Sequence, residues 1–313
     1  MNIFMLGNGF DLHYGFPTKY INFLNTMEFL CKNAEKHFET IDSIFGDPAL
    51  QKQDSSIRRC YDEYKAYYPY VQIDHAELTI MVAEAKKNSW FKYFCEKYNK
   101  DVGWIDFEKE IADVLTRLNT FFPTFDNYVR FGSSALEKEY DSIINVHDIL
   151  KLFSFGHHDT KEDGRKEGEE LVWSINIWER KEYFFFRKNL RNPDGFLNRA
   201  LIISELLNSL KEFSRLLSYY LRQFVEAPTQ WLVAENKIQK RWLFNDQKSE
   251  IITFNYTDTF EQLYNVSNKN RVHHIHGVIS PDTDIVLGIN ADKNDELAQL
   301  STEFLPFKKY YQT

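Results

Sequence analysis

Residues 1–20 read M-N-I-F-M-L-G-N-G-F-D-L-H-Y-G-F-P-T-K-Y. The apolar run Ile3–Leu6 has the length of a strand and meets a Gly-x-Gly turn at Gly7 and Gly9, with Asp11 and Gly15-Phe16-Pro17 beyond it. A strand that runs through glycines into a helix is the outline of a phosphate cradle. Glycine lets the backbone approach a pyrophosphate, and the helix start aims free N–H groups at the charge. The dinucleotide fingerprint G-x-G-x-x-G requires glycine where Leu12 stands, and no G-x-x-x-x-G-K-[ST] loop occurs. A tight β-to-α turn without any ligand has the same local sequence.

A second β-type region begins near residue 249. S-E-I-I-T-F-N-Y-T is a β-branched run of the kind buried on both faces, and R-V-H-H-I-H-G and D-I-V-L-G-I-N read as further strands. Between the two ends the pattern is helical. Trp90, Phe91, Phe94 and Tyr98 recur at helical spacing, as do Phe107, Ile111, Val114, Leu115 and Leu118. These stripes read as core. A long helix is expected over 197–225, ended by Pro228, and Thr18 is the expected cap of a helix running through Phe23 and Leu24. The charged, Gly-rich stretch 156–170 reads as a solvated loop, with a His157/His158 metal pair as the lesser alternative. The fold class is therefore α/β: a parallel sheet built from 1–30 and 245–313, with a large, mainly helical insertion over 31–244.

Three polar motifs stand where strands end: Gly7 to Asp11, Asn255, and His276-Gly277. In open parallel sheets the ligand crevice lies outside the carboxyl ends of the strands, so the three are expected to meet along one edge. Each residue also has a plainer role. Asp11 or Asn255 can cap a helix. His274 can be a hydrogen-bonded core histidine, or a metal ligand with His276.

These motifs carry a resemblance. G-N-G-F-D-L-H-Y-G-F-P resembles the sirtuin opening G-A-G-x-S-x-x-x-G-I-P, T-F-N-Y-T resembles the sirtuin T-Q-N-I-D, and I-H-G resembles the sirtuin strand ending in His-Gly, in the same order. The closer likeness is to the AbiH family of bacterial abortive infection. Its pattern is G-N-G-F-D-L-x-x-G-x-P-T-x-Y, then W-x-D-x-E, F-N-Y-T and H-I-H-G. The chain is similar at Gly7–Tyr20, at Trp104, Asp106 and Glu108, at Phe254–Thr257 and at His274–Gly277.

The resemblance implies a Rossmann-like, sirtuin-like core that takes NAD as substrate or ligand. Gly7, Asn8 and Gly9 would hold the pyrophosphate. Asn255 would hold the nicotinamide-side ribose or a water, and His276 the ribose hydroxyls. Asp11, at the sirtuin serine position, or Glu108 would stabilise positive charge as the nicotinamide–ribose bond breaks. Phe10, Gly15, Pro17, Thr257, Gly277 and Gly288 complete the implied cofactor-binding set. The chain departs from sirtuins at Thr257, where they carry aspartate, and at Lys19-Tyr20, where they carry Phe-Arg. It also lacks their four zinc cysteines, so no metal and no protein deacetylation is expected. The expected function is antiphage defence by cleavage of NAD or a related nucleotide. The alternatives are a non-catalytic NAD or ADP-ribose sensor that signals to a partner, and a metal-dependent nuclease or interaction protein.

Composition agrees with these limits. With 313 residues, 43% of them hydrophobic, the chain can bury a large core. A net charge of −8 gives no basic field for nucleic acid or anionic membrane. Three scattered cysteines, Cys31, Cys60 and Cys95, fit a reducing, cytoplasmic setting. The N-terminal apolar run is too short for a signal peptide, and no stretch is long enough to span a membrane. A nucleotide, a phage-derived trigger and a second copy of the chain are the expected partners.

Overall fold

The computed structural model describes residues 2–100, 106–132, 140–159, 161, 164, 166–177, 180–240, 249–264, 271–279, 285–289 and 300–309. Trp104 lies outside them. The fold is mixed α/β. Six strands occur among the described residues: β1 (Ile3–Leu6), β2 (Gly156–Asp159), β3 (Glu169–Ile177), β4 (Arg180–Arg187), β5 (Glu250–Thr253) and β6 (Val272–His274). They form one parallel sheet, in the order β1-β5-β6, and one antiparallel sheet, in the order β2-β4-β3. The chain divides into two compact units, Met1–Asn88 with Glu212–Val286, and Ser89–Lys211 with Leu287–Thr313.

The first unit holds the parallel sheet. β1 coincides with the apolar run at the start of the sequence and pairs Leu6 with Thr253. The helix Gly9–His13 follows directly. The chain then turns at Gly15, whose φ of +79° favours glycine and where a Cβ would come within 3.0 Å of the Glu63 side chain. The helix Tyr20–Lys32 begins one residue later than Thr18 would set it. Lys19 is its cap, and the Lys19 N–H donates to Asn22 Oδ1 at 3.2 Å. Thr18 is engaged elsewhere, by Asn8. Two phenols hold the opening loop from behind. The Tyr64 hydroxyl donates to the Tyr14 carbonyl at 2.5 Å, and the Tyr220 hydroxyl to the Pro17 carbonyl at 2.8 Å. Phe23 packs edge-on against Phe213 and Tyr220 in the core below.

Pro228 does not end the long helix. The chain runs through Arg199–Leu221 into a π-helical turn, Arg222–Glu226, and on into the helix Ala227–Ala234. Proline has no N–H for the carbonyl four residues back, and the wider π turn stands directly before it.

β5 is not buried on both faces. Leu6, Ile251, Thr253 and Val272 on one face of the sheet are buried, while Ile3, Met5, Phe254 and Ile275 on the other are exposed. A β-branched run specifies a strand, but what covers its second face is decided by distant parts of the chain.

The second unit holds the antiparallel sheet, in a stretch the periodicity assigns to helix and loop. Phe184, Phe185 and Phe186 of β4 are all buried. His157, read as part of a solvated loop, lies on β2 and is buried, with its ring nitrogens 3.1 Å from Glu169 Oε1 and from the Gly164 carbonyl. The Trp90 indole N–H donates to the Leu206 carbonyl at 3.0 Å. Asp106 caps the helix Phe107–Phe131 by accepting from the Glu108 and Lys109 N–H groups at 3.0 and 3.2 Å. Glu108 is ion-paired with Lys309. The expected strand at 284–290 does not form over its described residues 285–288. Ile289 alone bridges to Lys308, and Gly288 lies in this second unit. Among the described residues no helix is long and apolar enough to cross a membrane.

Candidate functional site

Because β1, β5 and β6 are neighbours and parallel, their carboxyl ends lie along one edge. The Gly7 turn follows the first, Asn255 the second and His276 the third. Each strand hands its chain to a loop at that edge, so residues far apart in sequence converge there.

The glycine turn is closed by its own side chains. The Phe10 N–H donates to the Gly7 carbonyl at 2.8 Å. Asn8 Nδ2 donates to the Thr18 carbonyl at 3.3 Å, and the Thr18 hydroxyl donates back to Asn8 Oδ1. Neither Gly7 nor Gly9 has a left-handed backbone, and a Cβ built on either meets nothing within 4 Å. Neither local strain nor packing among the described residues explains glycine at these positions. The room they leave open suits the close approach of a ligand.

Behind the turn lies Asp11. It is fully buried, and Thr257 donates its hydroxyl to Asp11 Oδ2 at 2.7 Å across 246 residues of sequence. Asp11 Oδ1 finds no partner in hydrogen-bonding geometry. Burial pushes its pKa up to about 7, against the lowering effect of the Thr257 and Thr259 hydroxyls. A carboxyl of that kind changes charge near neutrality.

Asn255 is also buried. Its N–H donates to the Thr253 hydroxyl at 3.1 Å, its carbonyl lies 3.1 Å from His274 Nδ1, and its side-chain oxygen has no partner. His274 Nε2 is 2.7 Å from the Glu261 carboxylate. Both neighbours are acceptors, an arrangement that favours the imidazolium, which can donate from both nitrogens. Burial works against that charge, and the Glu261 carboxylate outweighs it, leaving the His274 pKa raised. His274 is thus a clasp between the 255 loop and the helix Thr259–Tyr264.

His276 stands in the turn after β6, its ring 5.8 Å from Phe254 and 6.1 Å from Tyr256. Gly277 beside it has a φ of +80°, which favours glycine. Phe10 is buried among Tyr14, Phe260 and Tyr264, so its ring belongs to the core under the turn. Pro17 is buried, and its carbonyl is taken by Tyr220.

Glu226 is the member of this neighbourhood that sequence reasoning missed. It lies on the π turn, and burial, with Asp258 next, pushes its pKa up to about 8. It accepts from the Asp258 N–H, and its Oε1 has no partner. The available signal was an acid in the apolar segment F-V-E-A-P. Among the described residues no group of three or more His, Cys, Asp or Glu could hold a metal ion.

The sequence pattern of the family described as bacteriophage abortive infection AbiH matches residues 3–312. The chain belongs to the AbiH family. That membership points to abortive-infection defence against phage. No curated protein and no solved structure matches this AbiH chain.

Proposed function

We propose that this AbiH protein carries a Rossmann-like, sirtuin-like nucleotide site that cleaves the nicotinamide–ribose bond of NAD or a related nucleotide. The observation that carries the reading is the Asp11–Thr257 hydrogen bond, which ties the glycine turn after β1 to the Asn255 loop after β5. Two buried acceptors there, Asp11 Oδ1 and Asn255 Oδ1, lack a partner in full hydrogen-bonding geometry among the described residues. They suit a ligand that presents hydroxyl or amide donors, as a ribose and a carboxamide do.

In this reading the N–H groups of the glycine turn hold the pyrophosphate and Asn255 orients the ribose or the attacking water. Asp11 in its ionised form faces the positive charge that develops on the sugar. Water adds to the anomeric carbon as nicotinamide departs with the bonding electron pair, and the proton that the water loses passes to solvent. His276, on the same edge, orients the ribose hydroxyls.

The test is nicotinamide release from NAD by the purified chain, beside Asn255→Ala and His276→Ala. Release abolished by both substitutions supports the site, and an inert unaltered protein sinks the catalytic reading. A second reading, a non-catalytic NAD or ADP-ribose sensor, is favoured by Thr257. It stands where the resemblance expects an aspartate, and its hydroxyl is spent on Asp11. Tight NAD binding without product, lost in Gly9→Val, would select that reading.

A further inference from the structure

Two carboxyls of the first unit hold successive residues of one loop. Asp11, on the helix Gly9–His13, accepts the Thr257 hydroxyl at 2.7 Å. Glu226, on the π turn, accepts the N–H of Asp258, the next residue. Thr257 and Asp258 lead from Asn255 into the helix Thr259–Tyr264, so the loop is gripped from two sides. The base that carries Glu226 is itself held. The Ala227 N–H reaches back to the Arg222 carbonyl, the wide π spacing. The Thr229 hydroxyl donates to the Val225 carbonyl at 2.7 Å, and Gln223 Nε2 donates at 2.5 Å to Glu77 Oε2 on the helix His75–Lys87. The helix Ala227–Ala234 packs on the helix Thr259–Tyr264. π turns inside α-helices are rare and frequently stand at functional sites. Glutamate ordinarily reaches for water. Here it is turned onto the loop, and its Oε1 is buried without a partner in full hydrogen-bonding geometry.

We infer that Glu226 is a positioning residue of the candidate site: through the Asp258 N–H it fixes the loop that sets Thr257 on Asp11, and so keeps water from that carboxyl. The charges nearby are compatible with this role. Asp258 and Asp11 favour the protonated form of Glu226, and Arg222 opposes them. Asp11 is faced by Glu261 and Asp258, and Glu261 is tied to His274. A protonated Glu226 still accepts an N–H through its carbonyl oxygen, so the grip persists on both sides of its titration. The bearing of Glu226 on catalysis rests on the NAD site proposed above, whereas its hold on the loop is read without any ligand.

The titration of Asp11 tests this, in the full ligand-free chain labelled at the aspartate carboxyl carbons. The Asp11 resonance is the one lost in Asp11→Asn. Its midpoint near pH 7 is expected to persist in Glu226→Gln, which keeps an acceptor for the Asp258 N–H and removes the charge. Glu226→Ala releases the loop and lets water reach Asp11, and the midpoint falls by at least about two pH units toward the ordinary value. Glu226→Asp withdraws the carboxyl by one methylene and lowers the midpoint by at least about one unit. It answers for the alanine variant should that chain fail to fold. A midpoint left at or above pH 7 in these two variants overturns the inference. So does an equal fall in Glu226→Gln, because the charge of Glu226 and not its bond would then be the cause. Nicotinamide release by the unaltered chain judges the proposed cleavage separately: an inert chain whose Asp11 titrates in this pattern loses the chemistry and keeps the positioning.

Discussion

Asp11 and Asp54 are buried carboxyls in the same compact unit, and they hold their protons with opposite strength. Burial pushes both pKa values up. At Asp54 five hydrogen bonds outweigh it: Asn22 and Asn25 donate to one oxygen at 2.9 and 3.2 Å, while the Ser56 hydroxyl and the Ser56 and Ile57 N–H groups donate to the other at 2.6, 2.8 and 3.2 Å. Its pKa is lowered. Asp11 has the Thr257 hydroxyl at 2.7 Å and one oxygen without a partner, and its pKa rises to about 7. Deeper burial and fewer donors together separate the protonated Asp11 from the ionised, fold-holding Asp54.

The largest effect that would sharpen this contrast is at Asp54. Asp54→Ala removes a helix cap and strands Asn22 and Asn25, and is expected to destabilise the chain by roughly 3–5 kcal/mol in denaturant titration. Asp11→Asn should cost little stability at pH 8. Comparable losses from the two would break the comparison.

Next comes pH. The native state keeps a proton on Asp11 up to about pH 7 and on Glu226 up to about pH 8, while the unfolded chain releases them near the ordinary values of 3.8 and 4.5. Stability therefore falls as pH rises through this window, by about 3 kcal/mol between pH 5 and 8 from Asp11 alone. His274, with its raised pKa, contributes in the same direction, and Asp54 matters only below its ordinary value. Unfolding midpoints across that range should decline for the unaltered chain and stay flatter in Asp11→Asn with Glu226→Gln.

A smaller effect concerns activity. If the proposed cleavage is right, Asp11→Asn should lower nicotinamide release about 50–100-fold. Unaltered release would remove Asp11 from the chemistry while leaving its proton affinity intact. The smallest effect is at the Asn8–Thr18 pair of the glycine turn. Asn8→Ala frees Thr18 and should cost about 1 kcal/mol of stability, with a several-fold weaker NAD affinity by calorimetry.

Parts of this were legible in the sequence. Ile3–Leu6 is short, apolar and stopped by glycine, and it is a strand. The motifs at Gly7, Asn255 and His276 each follow a strand, so the parallel topology alone brings them to one edge. The antiparallel sheet was not legible. Phe184, Phe185 and Phe186 form an apolar run without alternation, and the charged stretch 156–170 hides β2, which lies within it, and the start of β3. His157 reads as solvated because its neighbours are charged, yet its burial is set by Glu169 and Gly164. Glu226 was missed because a lone acid in an apolar segment gives no sign of what faces it. Pairwise contacts made across long separations decide such cases, and periodicity does not contain them.

The tie between Asp11 and Thr257 spans 246 residues, and this has a consequence for synthesis. At about 5–20 residues per second, Asp11 leaves the ribosome roughly 10–50 s before the hydroxyl that completes its surroundings. Until then β1 has no β5 to pair with, and the carboxyl has no site around it. A chain whose translation stalls before Thr257 carries the glycine turn, but cannot make this hydrogen bond. The tie therefore forms only after the 246 residues of sequence that separate its two partners have been made.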